Sequence, residues 1–549
     1  MLPSAKEYLK QKVENALKKL GVELDGFQLI FDKPKNEQFG DFATNIAMLL
    51  AKKLGKNPRE VANDIISNLE IEKEFISRVE VAGPGFINFT LSPNFYIQRI
   101  KEILNQGENF GKINIGVGKK ANVEFVSANP TGPLTVGHGR NAVLGDTVAN
   151  ILEWAGFDVT REYYFNNAGR QMKILADSVR LRYLELLGEK IDYPNEYYQG
   201  EYIKDIARML IDEYGDRLRN ETDLKIFKEK AEAVIFEDIK KTLKRLGIEF
   251  DVYYNEDWLY EKKIWDVVSE LEKRGYVYEK DGAKWFKATL AGGEQDKVLI
   301  KSTGEPTYRL PDIAYHIEKF KRGFDLIVDV FGADHIAEYP DVLRALEVLG
   351  YDTSKVKVLI YQFVTLVKDG EVVKMSTRRA NYITLDELID EVGPDVVRFF
   401  FLNRSRDAHL NFDLTLAKKQ SEENPVYYLQ YAHARIASIL RFAKDSGVEM
   451  GDFKNVKFEL LVQKEEVDLA KLLSEFPEVI ELAYLSLEPL KIINYLNSVA
   501  EAFHRFYHKH RVVGQDFDLT LARLSLCVAT KIVIANGLKI LGVTAPERM

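Results

Sequence analysis

The chain has 549 residues, 46% of them hydrophobic, with 76 Lys and Arg against 84 Asp and Glu and a formal net charge of −8. At roughly one domain per 150 residues this length predicts three or four domains, and the acidic balance excludes a surface built throughout to coat nucleic acid. The single cysteine, Cys527, excludes intrachain disulfides and multi-cysteine zinc sites, and no uninterrupted apolar run nears the ~18 residues of a membrane span.

Lys6, Glu7, Lys10 and Lys12 fall within a helical pattern at the amino terminus, unlike a secretory leader, so a cytoplasmic protein without a membrane partner is expected. Ser4 and Glu7 form an S-x-x-E capping box, after which Leu9, Val13, Leu17 and Leu20 line one face until Gly21. A second helix is predicted over residues 41–54, and Asn57-Pro58 opens a third. Strands over 79–81 and 86–91 flank the turn Gly83-Pro84-Gly85, which makes a small α+β domain ahead of a glycine-rich linker at 107–118.

Residues 124–146, EFVSANPTGPLTVGHGRNAVLGD, join a β-prone run to a helix through a proline- and glycine-rich turn. Val143, Leu144, Val148, Ile151 and Leu152 recur at helical spacing until Gly156, and residues 158–164 return as a strand. Such a βαβ crossover makes the strands parallel and puts the turn at their carboxyl ends, where open parallel sheets bind ligands. Gly137 would let a flat ligand approach the backbone, and His138 sits at a helix mouth whose N–H groups favour a nucleotide phosphate. The turn is neither GxGxxG nor GxxxxGK[ST].

Beyond Tyr164, Asn166 and Asn167 are candidate caps for a helix running to about Leu187. Residues 188–283 read as a helical, highly charged insertion, and the sheet is expected to resume near Lys284 and to include residues 325–331. A helix follows over 338–349, and runs at 356–367 and 371–373 flank the hairpin signal Lys368-Asp369-Gly370. The basic segment Lys374-Met375-Ser376-Thr377-Arg378-Arg379 precedes a capping box at Thr384 and Glu387. From Pro394 onward helical periodicity dominates, predicting an all-α bundle. Basic and aromatic residues interleave over 503–511, a mixture suited to nucleic acid or, more commonly, to a helix with buried rings and exposed cations.

Thr135-Val136-Gly137-His138 resembles the HIGH signature of class I aminoacyl-tRNA synthetases, and the surrounding SANPTGPLTVGHGR resembles the arginyl-tRNA synthetase version. The segment beginning at Lys374 is similar to the KMSK loop of that class. QFGDFATNIA and VAGPGFINFTL resemble the additional amino-terminal domain of arginyl-tRNA synthetases, and NPVYYLQYAHARIASILR and GLKILGVTAPERM resemble their anticodon-binding domain, so the likeness spans nearly the whole chain. It implies an α/β protein in which residues 1–115 form the additional tRNA-binding domain. Residues 116–395 would form a Rossmann-type catalytic domain with an insertion at about 188–283, and 396–549 a helical anticodon-binding domain. The implied reaction activates L-arginine with ATP and Mg2+, forms arginyl adenylate and transfers arginine to the 3′ end of tRNA(Arg); a monomer with no resident metal is implied as well.

Residue by residue, the resemblance assigns catalysis to His138, Thr135, Lys374 and Ser376, and ATP binding to Gly137, His138, Lys374 and Met375. It sets Glu124 and Asn129 against the backbone end of arginine and Tyr308 and Asp312 against its guanidinium, with His335 in the same cleft. Asn36, Phe39, Asn45 and Asn88 become tRNA-elbow candidates, and Tyr428, Tyr431 and Met549 anticodon candidates. The chain departs from the class pattern at Thr135, where the first His of HIGH would stand, and at Thr377, where the last Lys of KMSK would stand. Each exchange removes a cation while keeping a hydroxyl. These departures keep a non-catalytic tRNA-binding protein open as an alternative. A cysteine-specific zinc pocket is impossible with Cys527 alone, and a glutamate-specific relative would want Arg at Asp312.

Overall fold

Apolar residues at helical spacing build the first element, Ala5–Lys19, which buries Leu9, Val13 and Leu17, while Ser4 Oγ accepts the Glu7 N–H at 3.3 Å. The chain is described by a computed structural model covering residues 3–549 apart from 25, 168, 334–335, 374–382, 450, 452 and 515. His335, Lys374, Met375 and Ser376 therefore lie outside the described residues.

In the amino-terminal part the strands Phe42–Thr44, Phe86–Leu91 and Ile76–Ala82 form an antiparallel sheet in that order, with the helices Ile46–Leu54 and Pro58–Ser67 against it. The helix predicted from residue 41 is thus shorter, because Phe42, Ala43 and Thr44 pair with Phe89, Asn88 and Ile87. Three residues are too few for strand alternation to stand out from the helical pattern that follows.

The centre of the molecule is a five-stranded parallel sheet with the spatial order Val356–Tyr361, Leu326–Gly332, Lys120–Glu124, Asp158–Phe165, Val252–Asn255. The chain runs outward from Lys120–Glu124 in one direction, then crosses back to lay Leu326–Gly332 on its other side. That reversal is the topological switch point, the place where an open parallel sheet leaves a crevice at the strand ends. Two readings are corrected here. Val252–Asn255 lies within the segment read as helical, yet it pairs in parallel with Asp158–Phe165. Ala283–Phe286 instead joins a separate antiparallel sheet with Val277–Lys280 and Lys297–Ile300, so the parallel sheet resumes at Leu326–Gly332 and not near Lys284.

The run predicted over 356–367 is divided. Val364–Lys368 leaves the central sheet, makes the expected hairpin with Glu371–Val372 and pairs in parallel with Leu410–Asp413. The latter strand interrupts a region read as wholly helical. Asn166 and Asn167 are not the caps expected of them, since the helix Arg170–Leu186 starts after Gly169 and Asn167 Nδ2 donates to Glu232 Oε1 at 3.0 Å.

The carboxyl-terminal helices Pro425–Asp445, Lys464–Ser474, Phe476–Ser486, Leu490–Lys509 and Phe517–Leu541 pack as a bundle. Phe517–Leu541 has the length and composition to cross a membrane, but Leu526, Val533, Ile534 and Leu538 are buried among its neighbours, as in a core helix. Arg398 fastens this bundle to the parallel-sheet part: its buried guanidinium donates to Leu541 O at 2.9 Å, Leu246 O at 2.8 Å and Asp146 Oδ2 at 2.6 Å. Gly542 lies at φ +68, and a Cβ there would fall 2.2 Å from that guanidinium.

Candidate active site

Glu124 ends the Lys120–Glu124 strand, and the chain then reverses through Val126 and Ser127 at φ 64 and φ 42. Left-handed backbone costs a non-glycine residue about 1–3 kcal/mol, most for a β-branched one, so the surroundings must hold it in place. Asn141 does so, accepting the Val126 N–H at 2.6 Å and donating to Val330 O at 2.9 Å. Ser127 Oγ accepts the Tyr164 N–H and donates to Glu124 Oε1, each at 3.0 Å. The reversal folds Ser127 and Asn129 over the strand ends.

The signature helix, Val136–Trp154, begins beside this reversal. Thr135 N–H donates to His138 Nδ1 at 3.1 Å. A ring nitrogen that accepts a backbone N–H carries no proton, so the imidazole is neutral and its N–H is at Nε2. A Cβ on Gly139 would lie 2.6 Å from Leu385, and one on Gly145 2.2 Å from Phe125, so packing demands both glycines. Among the described residues a Cβ on Gly137 would meet Thr135 Oγ1 at an ordinary 3.7 Å, so the described packing does not demand a glycine there. Arg140 anchors the helix by donating to Gln362 O at 2.5 Å, Ser405 O at 3.0 Å and Ala408 O at 3.1 Å, and burial pushes its guanidinium down to about 10. Residues 374–382 are flanked on their far side by Thr384, which bridges to Thr135, and by Leu385, whose N–H donates to Leu134 O at 2.8 Å. The chain therefore returns from the KMSK-like segment directly onto the HIGH-like turn.

A cavity of about 390 Å³ opens at the switch point, lined by Glu124, Ser127, Asn129, Tyr308 and Asp312 among others. That volume suits a small ligand rather than a macromolecule. Tyr308 precedes the helix Arg309–Lys321 and is 68% exposed at the mouth, whereas Asp312 sits half-buried in its first turn. Asn129 is exposed at the rim and donates to Gln171 Oε1 at 2.9 Å. The structure thus gathers Glu124, Asn129, Tyr308 and Asp312 around one space.

Sequence reasoning missed Glu256. It follows the strand Val252–Asn255, is 2% exposed, and lies near Tyr164 and Asp312. Its Oε1 accepts from Tyr260 OH at 3.3 Å, and the buried Tyr164 hydroxyl lies close to the same carboxyl. Burial first, and then the charge of Asp312, push the Glu256 carboxyl up to about 7. A buried carboxylate held close to a second acid is suited to a cation with several donors, and a guanidinium has five. Its signal in the sequence was weak, since Glu256 stands within the acidic run Asn255-Glu256-Asp257 and only the strand register buries it.

The tRNA candidates are scattered over the other domains. Asn36 is exposed and accepts the Gln38 N–H at 3.0 Å, and Phe39 is 42% exposed. Asn45 precedes the helix Ile46–Leu54, and Asn88 is buried within the sheet. Tyr431 stacks on Tyr427 with ring centroids 6.3 Å apart, Tyr428 packs on His504 at 5.2 Å, and Met549 lines a surface cavity with Tyr427 and Gln430. In the 503–511 segment Phe503 and Phe506 are buried while Arg505 and Lys509 point outward, so its rings serve the bundle.

Residues 99–399 match the family described as tRNA synthetases class I (R), catalytic domain. Together with the parallel sheet and the histidine turn at its switch point, this defines a class I aminoacyl-tRNA synthetase. Residues 7–91 match the arginyl tRNA synthetase N terminal domain and 429–549 the DALR anticodon binding domain. The chain is 54% identical to the arginine–tRNA ligase of Chlorobaculum tepidum over 98% of each, and 54% identical to that of Desulfotalea psychrophila over 94% of each. In fold it is similar to Thermus thermophilus arginyl-tRNA synthetase, with a TM-score of 0.76 at 23% identity over 99% of this chain and 100% of that one. The chain belongs to the arginyl-tRNA synthetase family.

Proposed function

We propose a division of labour among these residues for the family's reaction, in which ATP activates L-arginine and the arginyl group passes to the 3′ end of tRNA(Arg). The observation that carries it is the acidic cavity at the switch point, lined by Glu124 at the strand end and by Asp312 at the other side, with Glu256 buried close to Asp312. Asp312 and Glu256 take the guanidinium, with Tyr308 closing over it at the mouth. Glu124 takes the α-ammonium and Asn129 the substrate's backbone end, leaving the carboxylate facing the signature turn. His335 belongs to the same cleft in this reading.

Activation joins a carboxylate oxygen of arginine to the α-phosphorus and breaks the bond to pyrophosphate. The protein's part is positioning and charge. His138 donates from Nε2 to a phosphate oxygen, Gly137 lets the nucleotide approach the helix mouth, and Thr135 holds the imidazole in its donor tautomer. Lys374, Met375 and Ser376 bind ATP, and Mg2+ bound with the nucleotide would neutralise charge on the departing pyrophosphate. A ribose hydroxyl of the tRNA end then attacks the acyl carbon and AMP departs. Asn36, Phe39, Asn45 and Asn88 on residues 1–115, and Tyr428, Tyr431 and Met549 on residues 396–549, hold the tRNA of a cytoplasmic monomer.

Asp312→Ala tests the arrangement. It is expected to raise the arginine KM about a hundredfold while the ATP KM stays within about threefold, as loss of a buried charge pair would. Equal rises for both substrates would remove Asp312 from the guanidinium.

A further inference from the structure

Lys319 is wholly buried beneath the arginine cavity. Its Nζ donates to Glu124 Oε2 and to Asp329 Oδ1, each at 2.6 Å, and lies 4.5 Å from the centroid of the Tyr315 ring. His316 stands alongside, with Nδ1 2.8 Å from Asp312 O and Nε2 2.9 Å from Asp329 Oδ2. A carbonyl and an ionised carboxylate only accept, so both ring nitrogens donate and His316 is an imidazolium. Two cations thus meet two buried carboxylates through direct hydrogen bonds. The neighbouring acid, Glu162, is separately paired: it accepts from Arg322 at 2.6 and 2.8 Å and from Tyr315 OH at 2.5 Å.

The placement of these groups is informative. Asp312, His316 and Lys319 recur at helical spacing along Arg309–Lys321, so one helix carries the guanidinium acid at its start and the Glu124 partner further on. We propose that Lys319 is a positioning residue for arginine activation, holding Glu124 ionised toward the α-ammonium and fixing its spacing from Asp312. The substrate's length is then gauged through one buried ammonium. The inference rests on the assignment of Glu124 to the α-ammonium.

Electrostatics favour this role. Burial holds the Glu124 carboxyl above its usual range, with Lys319 opposing that rise and Asp329 adding to it. Burial likewise works against the charge on Asp329, yet Lys319 and His316 together bring it well below the carboxylate range. Without the ammonium, Glu124 and Asp329 would share a buried site with His316 as the cation hydrogen-bonded there, and two such carboxylates do not both stay ionised. Asp329 keeps His316, so Glu124 takes the proton. The other groups close to Glu124 are Ser127 on its own segment, Tyr164 and Glu162 on the next strand, and Tyr315 on the helix.

The test compares arginine with 5-guanidinopentanoate, which lacks the α-amine, in ATP–pyrophosphate exchange with tRNA(Arg) present, from about pH 6.5 to about pH 8.5. Lys319→Met should raise the arginine KM about thirtyfold at neutral pH. The ATP KM and the inhibition constant of the analogue should hold within about twofold, and the penalty should shrink as rising pH restores the Glu124 charge. Glu124→Gln should lose the same preference for arginine at every pH. A Lys319→Met penalty that is flat with pH, or that falls equally on the analogue or ATP, overturns the inference and leaves Lys319 structural. A Glu124→Gln protein that keeps its preference for arginine overturns the α-ammonium assignment instead. If Lys319→Met does not fold, Lys319→Gln, which keeps an N–H donor but no charge, takes its place, and wild-type selectivity in that protein overturns the inference just as surely.

Discussion

Replacing Glu256 by Gln is expected to raise the arginine KM by roughly a hundredfold, because truncating a buried charge pair costs about 2–5 kcal/mol and about 3 kcal/mol corresponds to that factor. The ATP KM should be unchanged, since the side chain sits beside Asp312 and Tyr164, away from the signature turn. The same substitution should alter the pH dependence of the empty protein. Burial and Asp312 raise the Glu256 carboxyl to about 7, above its value in the unfolded chain. A group whose folded value is raised contributes its stability at low pH and loses it as pH climbs through about 7. Thermal melts of wild type without arginine should therefore fall relative to Glu256→Gln between about pH 5 and about pH 8. Arginine reverses the effect. Its guanidinium favours the ionised carboxylate, so binding near pH 6 should expel protons from wild type, seen by calorimetry in buffers of different ionisation heat, and expel fewer from the variant. Identical proton release from both would detach Glu256 from the substrate.

Arg398→Met is expected to have the largest effect on stability. It strips the buried Asp146 carboxylate of its 2.6 Å partner, leaving Arg161 at 3.4 Å, and leaves Leu246 O and Leu541 O without that donor. Removing one member of a buried ion pair costs about 3–5 kcal/mol, whereas removing both together costs far less. A chain of several domains does not unfold in one step, so the loss should be read in the earliest urea transition. Adding Asp146→Asn should recover part of it. Asp146 belongs to the signature helix and Leu541 ends the last helix of the bundle, so this one guanidinium sets how the anticodon-binding part docks behind the catalytic turn. A shift below about 1 kcal/mol, or a double variant that is additive, would deny it that place.

What the sequence made legible follows the strength of local signals. The strand–turn–helix around Gly137 and His138 was readable because proline, glycine and helical periodicity all mark it, and the Thr384 capping box and Asp369-Gly370 hairpin are present as expected. Val252–Asn255 and Leu410–Asp413 were not readable, since four residues show little alternation and pairing comes from distant strands. Glu256 was lost with the first of these, because only that strand buries it. No reading of the sequence singled out Lys319 and His316, although Asp312, His316 and Lys319 share a face and Asp329 interrupts the apolar run LIVDVF. A charge inside a parallel strand, with cations at helical spacing nearby, was the available sign of a buried network.

The most direct measurement is arginine-dependent ATP–pyrophosphate exchange by the full chain with tRNA(Arg) present. Exchange with arginine, and none above background with lysine or with arginine's α-deamino analogue, is the expected result. A correctly folded protein that exchanges with no amino acid, despite bound tRNA, would contradict the assignment of this cavity to arginine activation.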